Sequence, residues 1–159
     1  EFEIGTPQKG EQGRSKSEKK IRIVIALEYR NGKPGRGYAK VIENYSAKSL
    51  KTIFDVHIDQ DAKITTDGWK GYAPLKKAYP DFEQKLSNKG RNFKMLHIQI
   101  RNFKNWLRGG HSYCHEKHIY QYIQEYFFRF NRLNFRTTIL EKLLNRMINY
   151  SPITYKSIK

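Results

Sequence analysis

Acidic residues are scarce in this chain. Asp and Glu number 15 against 31 Lys and Arg over 159 residues, a formal charge of +16. An excess of this size favours a polyanionic partner, nucleic acid ahead of an anionic membrane surface. Cysteine is rarer still. Cys114 stands alone, which excludes an internal disulfide framework and fits a reducing, cytoplasmic setting. Long apolar runs are missing, so no segment reads as a spanning helix, and no signal or transit pattern is expected at the start. Aromatic residues, by contrast, are plentiful, with 11 Tyr and 9 Phe. Most are expected in or beside the core, with a minority free to stack on bases. The length suits one domain with a real core over 1–159.

Along the chain, residues 1–6 read as a strand already in progress. The stretch from Pro7 to Lys20 interleaves Gly10, Gly13, Ser15 and Ser17 with Lys9, Arg14, Lys16, Lys19 and Lys20. It reads as the basic tip of a long hairpin, or equally as a solvated charge run. Ile21 to Tyr29 is β-branched and nearly all apolar at its centre, the pattern of a strand buried on both faces. Asn31 to Gly35 is a turn, and Gly37 to Glu43 returns antiparallel. Ser46 is placed to N-cap a helix from Ala47 to about Val56, with Leu50, Ile53 and Phe54 inward. Lys63 to Thr66 is a short strand ending at Asp67. Gly71 to Ala78 is a short helix or turn closed by Pro80. Phe82 to Leu86 is a further strand, and Ser87 to Asn92 a basic loop.

The remainder is helical. Leu96, Ile100, Phe103 and Leu107 make one apolar stripe. A second helix is expected from His115 to Asn131, with Ile119, Tyr122, Ile123, Tyr126, Phe127 and Phe130 inward. A third is expected from Thr138 to Asn149. Thr138 and Glu141 have capping-box spacing there, with Ile139, Leu143 and Met147 inward. Three strands, a helix crossover and further strands before the helices make an α/β layer pattern.

The most informative stretch is Thr65-Thr66-Asp67-Gly68-Trp69-Lys70-Gly71-Tyr72. A lone acid at the end of a short strand, followed at once by glycine, would put one carboxylate on the rim of a sheet. Four blocks then occur in order: Glu1-Phe2-x-Ile4-Gly5 with Gly13-Arg14-Ser15-Lys16; Thr66-Asp67-Gly68-Trp69-x-Gly71-Tyr72; His97 through Asn102-Phe103-Lys104-x-Trp106-Leu107-x-Gly109; and His118-x-x-x-Tyr122-x-x-Glu125-Tyr126-x-x-Arg129-x-Asn131-Arg132. With them, nearly the whole chain resembles the catalytic domain of bacterial insertion-sequence transposases of the DDE superfamily.

The resemblance implies an RNase H-like fold: a mixed sheet of about five strands, the first three antiparallel, flanked by helices, with an all-helical C-terminal part. It implies metal-dependent strand cleavage and strand transfer on transposon ends and target DNA. Two Mg²⁺ or Mn²⁺ ions would be held by three side chains, and the protein would act as a homodimer or higher assembly. Asp67 matches the second acid. The first acid of the family immediately precedes the residue matching Glu1, so it is expected to be missing here, along with an upstream end-recognition domain, and cleavage by this chain is expected to be poor. Along a strand Glu1 and Glu3 share one face, while Phe2 and Ile4 share the other with the missing position. Neither glutamate is therefore expected to substitute.

The third position carries no acid. His97 and Lys104 lie nearly two helical turns apart, so with Arg101 and Arg108 they share one face. His97 is placed ahead of Asn102 as the third member and as metal ligand beside Asp67, although neutral imidazole is softer than Mg²⁺ prefers. A helix-edge histidine bonded to backbone is the plainer alternative. Arg101, Lys104 and Arg108, with Arg14 and Lys16, are expected at DNA phosphates. Trp69 is expected either to stack on a base, with Tyr72, or to close the core beside Asp67. Glu125 and Arg129 have the spacing of an intrahelical pair, and with Asn131 and Arg132 they read as scaffolding, with DNA contact as the alternative. His111, Cys114, His115 and His118 have zinc-like spacing, but the resemblance gives no metal there. Two other readings stay open: a catalytically degenerate nucleic-acid-binding module, and a structure-selective nuclease without strand transfer.

Overall fold

The computed structural model describes residues 1–5, 20–111 and 116–155. The proposed hairpin tip with Arg14 and Lys16, and Cys114 and His115, lie outside these residues.

Its centre is an antiparallel sheet of β1 (Phe2–Ile4), β2 (Ile21–Arg30) and β3 (Lys33–Ile42), in that order. β1 pairs Phe2 with Ile23, and β2 pairs Ile25 with Ala39. The β2–β3 turn is tighter than expected. Asn31 (φ 50°) and Gly32 (φ 74°) both take left-handed backbone, as an Asn-Gly hairpin turn requires, so β3 starts already at Lys33. β2 is covered on both sides, as its composition implies. Val24 packs into one cluster with Leu50, Ile53 and Phe54 of α1 (Ala47–His57). Ile23 and Ile25 pack into another with Phe103 and Leu107 of α2 (Lys94–Gly110) and with Ile119, Ile123 and Phe127 of α3 (Ile119–Phe130). The result is helix layers on both faces of one short sheet.

α1 is capped as its sequence suggests. The Ser46 hydroxyl accepts the Ser49 N–H at 3.4 Å. β4 (Ile64–Thr66) and β5 (Phe82–Gln84) form a separate parallel pair, joined by a 3₁₀ helix over Lys70–Lys77. The expected five-stranded sheet is thus split in two. β1, β4 and β5 have three residues each, and side chains rather than a ladder join the halves: the Tyr72 hydroxyl donates to Glu1 Oε2 at 2.8 Å. The chain is a mixed α/β protein.

α2 and α3 bury the expected stripes, and α3 starts at Ile119 after a 3₁₀ turn over Glu116–His118. One buried polar residue interrupts the α2 stripe. Gln99 donates to the Tyr126 hydroxyl at 2.8 Å, and burial pushes that phenol up to about 12. Asn131, just past α3, clamps β3. Its Oδ1 accepts the Gly37 N–H at 2.7 Å, and its Nδ2 donates to the Gly37 carbonyl at 2.9 Å. Gly37 is required there, because a Cβ would sit 2.8 Å from the Phe127 ring.

α4 (Ile139–Asn149) corrects two expectations. Thr138 makes no side-chain cap bond. It ends a 3₁₀ turn at φ −108°, ψ 4°, whereas a capping hydroxyl needs the extended backbone typical of an N-cap. Leu143 and Met147 face outward, not inward; only Ile139 on that stripe is partly covered. No helix among the described residues is long and apolar enough to cross a membrane.

Candidate functional site

A cavity of about 460 Å³ opens at the β1 edge, between the opening strand and the C-terminal half of α2. Glu1, Glu3, Tyr45, Lys20, Lys104 and Arg108 are among its lining. The alternation expected of β1 holds. Phe2 and Ile4 turn into the cluster under α2 and α3, while Glu1 and Glu3 turn toward the tyrosines on the other side. The Tyr45 hydroxyl donates to Glu3 Oε1 at 2.8 Å, and Lys20 Nζ lies 3.7 Å from Glu3 Oε2.

Lys104 is the cation that α2 turns into this cavity. Its Nζ lies 5.3 Å from the centre of the Phe2 ring. Burial, and then the Arg108 guanidinium, pull it below the usual lysine range, with Glu3 opposing. A partly desolvated ammonium acts on a phosphate more strongly than one in bulk water. Arg108 lines the same cavity from the solvent side. Arg101 and Asn102 are exposed on α2 and His97 is exposed near its start. The His97 imidazole lies against the Gly90 turn, where an added Cβ would meet its Cδ2 at 3.2 Å. Of the α2 residues singled out in the sequence, the cavity gathers Lys104 and Arg108, and its lining does not include His97, Asn102 or Asp67.

Asp67 follows β4 directly. Its Oδ1 accepts the Trp69 N–H at 3.2 Å, and its carbonyl accepts from Gln84 Nε2 at 3.2 Å. The acid is thus held in an Asx-type turn. The motif after it ties itself to the opening strand by two routes. Tyr72 reaches Glu1, and the Trp69 indole N–H donates to the Tyr45 carbonyl at 3.0 Å. Trp69 packs against the core and Tyr72 is buried within it, so both rings serve as wall. Gly71 permits this: a Cβ would come within 2.5 Å of the Trp69 indole nitrogen. Tyr45 is the site residue the sequence does not flag. It sits in the connection before α1, where neither periodicity nor a motif marks it.

The last block carries contacts within α3 and to β3. Arg129 and Glu125 pair at 2.7 Å along α3, and Asn131 holds β3. The His111 and Tyr122 rings pack at a tilt, with centres 4.3 Å apart.

Compared with known families, residues 3–131 match the model of the ISXO2-like transposase domain. The chain belongs to that family. It is therefore related to insertion-sequence transposases of the DDE superfamily, and the family points to transposition and to DNA as partner. Neither curated proteins nor solved structures give a significant match.

Divalent ions, which such a family implies, need several hard oxygen donors converging on one point. Among the described residues no group of three or more His, Cys, Asp or Glu converges in this way. The acids of the motif and of the opening strand are instead held by tyrosines, a lysine and an N–H: Glu1 by Tyr72, Glu3 by Tyr45 and Lys20, and Asp67 by Trp69. The described donor set by itself does not fit a two-ion centre.

Proposed function

We propose that this chain is the DNA-cleaving and strand-joining part of an insertion-sequence transposase with an RNase H-like ancestry. The observation that carries the reading is the β1-edge cavity, which brings Lys104 and Arg108 against the opening strand of a transposase-family domain. The backbone of a DNA strand would enter there. Lys104 would sit at a phosphate oxygen and Arg108 at its neighbour, positioning the strand without reading its sequence. Arg101 would extend the contact along the outer face of α2. Asp67 is the acid we assign to the reacting centre, oriented by the turn that Trp69 closes. His97 is kept as the third member ahead of Asn102.

Mg²⁺ or Mn²⁺ would supply the activated water and the charge relief for phosphoryl transfer in this family. The described donors do not by themselves complete the site for these ions. Action as a homodimer or larger assembly on paired ends belongs to the same reading.

The incomplete donor set favours one rival, a degenerate module that binds nucleic acid without cutting it. The test is a nicking and strand-transfer assay on labelled end and target duplexes, with Mg²⁺ or Mn²⁺, on the chain carrying the family's aspartate before Glu1. Metal-dependent nicking that Asp67→Asn lowers by roughly 10²–10³-fold, the scale for loss of one preorganised electrostatic group, supports the enzyme. Salt-sensitive binding with no cleavage supports the module. Nicking without joining of pre-nicked ends would leave a nuclease.

A further inference from the structure

A second cavity, of about 170 Å³, lies at the opposite edge of the sheet, against β3. The end of α1 contributes His57, the end of α3 contributes Phe128, the turn just past it contributes Arg132, and α4 contributes Arg146. Among the described residues, no carboxylate lines it. The Arg132 guanidinium lies over the Phe128 ring, 3.8 Å from its centre, and that of Arg146 lies 5.3 Å from the same centre. The fold therefore gathers two guanidiniums on one ring. Across the mouth, His57 stacks on Tyr38 with ring centres 4.2 Å apart.

We propose that Arg132 and Arg146 form a second phosphate-binding point, occupied by a backbone phosphate of DNA that also contacts the Lys104 face. The inference rests on the DNA reading above and adds a site on the other flank. Three observations carry it. Guanidinium forks match phosphate geometry and keep their charge when partly desolvated. Like charges held this close without an acid in the wall leave room for an anion. The field there is uniformly positive: burial, then Arg146 and Arg36, pull Arg132 below the usual arginine range, and burial, then Lys40, pulls His57 down. Arg36 is partly offset by Glu28, whose carboxylate accepts the Arg36 backbone N–H at 3.0 Å and feels its charge, so the anion belongs to Arg132 and Arg146. The size decides the source. Pockets for whole small molecules run to roughly 300–1,000 Å³, so this one holds a phosphate group rather than a free nucleotide.

The experiment measures binding of a short labelled duplex to the full chain across a salt series. Each lost phosphate contact lowers the slope of log affinity against log salt by about 0.9. We expect that decrease for Arg146→Gln, and the wild-type slope for Arg146→Lys. Arg132→Gln should behave like Arg146→Gln, but Arg132 also donates to the Phe128 carbonyl at 3.1 Å. Exposed Arg146 therefore gives the cleaner variant. An unchanged slope in an Arg146→Gln protein that melts like wild type overturns the proposal. Should wild type bind no duplex at all, the DNA reading fails separately, and inorganic phosphate becomes the probe. Shifts of the His57 imidazole signals in wild type, but not in Arg146→Gln, would then keep the phosphate site; no shift in either would sink it.

Discussion

Helices α2 and α4 carry the same kind of signal in the sequence and end in different surroundings. Both repeat apolar residues at helical spacing. α2 buries the centre of that face, with Phe103 0% exposed and Leu107 3%, while Leu96 and Ile100 are partly covered. On α4, Leu144 is 48% exposed and Ile148 79%. The α2 stripe shares one apolar cluster with residues of β1, β2, β3 and α3. α4 follows a 3₁₀ turn, with Ile139 partly covered and Arg146 over the Phe128 ring. It also lies beyond residues 3–131, the part shared with the transposase family. An amphipathic pattern reports that a segment has an apolar face. It does not report that the same chain supplies the cover.

The largest test of this contrast is Phe103→Ala. Phe103 touches the rings of Phe2, Trp106, Tyr126 and Phe127, with centres 5.0 to 6.2 Å apart. Its removal opens a cavity where helix, sheet and neighbouring helix meet. The expected loss is about 3–5 kcal/mol by urea denaturation, the usual range for a buried Phe. A loss under about 1 kcal/mol would show that α2 is no better anchored than α4. Phe2 also carries Lys104 over its ring, so the same change should weaken DNA binding through the cavity's floor.

The elements most legible in the sequence are those whose signal is local. Ile21–Arg30 is a two-sided strand because its centre, Ile23–Leu27, is an unbroken apolar run, and α1 starts where Ser46 can cap it. The Asp67 motif is legible as a unit because it is one contiguous stretch. What the sequence does not show is set by contacts between distant positions. Whether three-residue strands join one sheet depends on what separates them, and here Tyr72 and Tyr45 fill the space between the opening strand and the Asp67 segment. The gathering of Arg132 and Arg146 on Phe128 depends on how α4 leaves its 3₁₀ turn, and no spacing rule reaches across that turn. His97 shares a helical face with Lys104 by arithmetic, yet the structure puts it at the exposed beginning of α2, against Gly90, away from the cavity lining. A wheel gives direction around an axis and leaves out distance along it.

α3 stands between the two helices, and its anchor gives the intermediate effect. Asn131→Ala removes both amide bonds to Gly37, leaving an N–H and a carbonyl of a buried strand residue without their partner. Each such group costs about 1–3 kcal/mol. A combined loss of about 2–6 kcal/mol is therefore expected in the same denaturation assay. Slower amide exchange at Gly37 than at exposed β3 residues in wild type, lost in the variant, would locate the effect at the clamp. A neutral result would mean that α3 is held by its apolar face alone.

The smallest effect is expected at the far end of the comparison. Leu144 on α4 is about half exposed, and its apolar neighbours Leu140, Met147 and Ile148 are more so. Glutamine in its place keeps helix propensity close to that of leucine and removes little buried area. Leu144→Gln should therefore change stability by no more than about 0.5 kcal/mol, the range for surface substitutions. Measured beside Phe103→Ala, it separates two meanings of the same periodicity. A loss approaching that of a core leucine, about 2–5 kcal/mol, would require α4 to be covered in solution. The face that the described residues leave open would then belong to a buried surface after all.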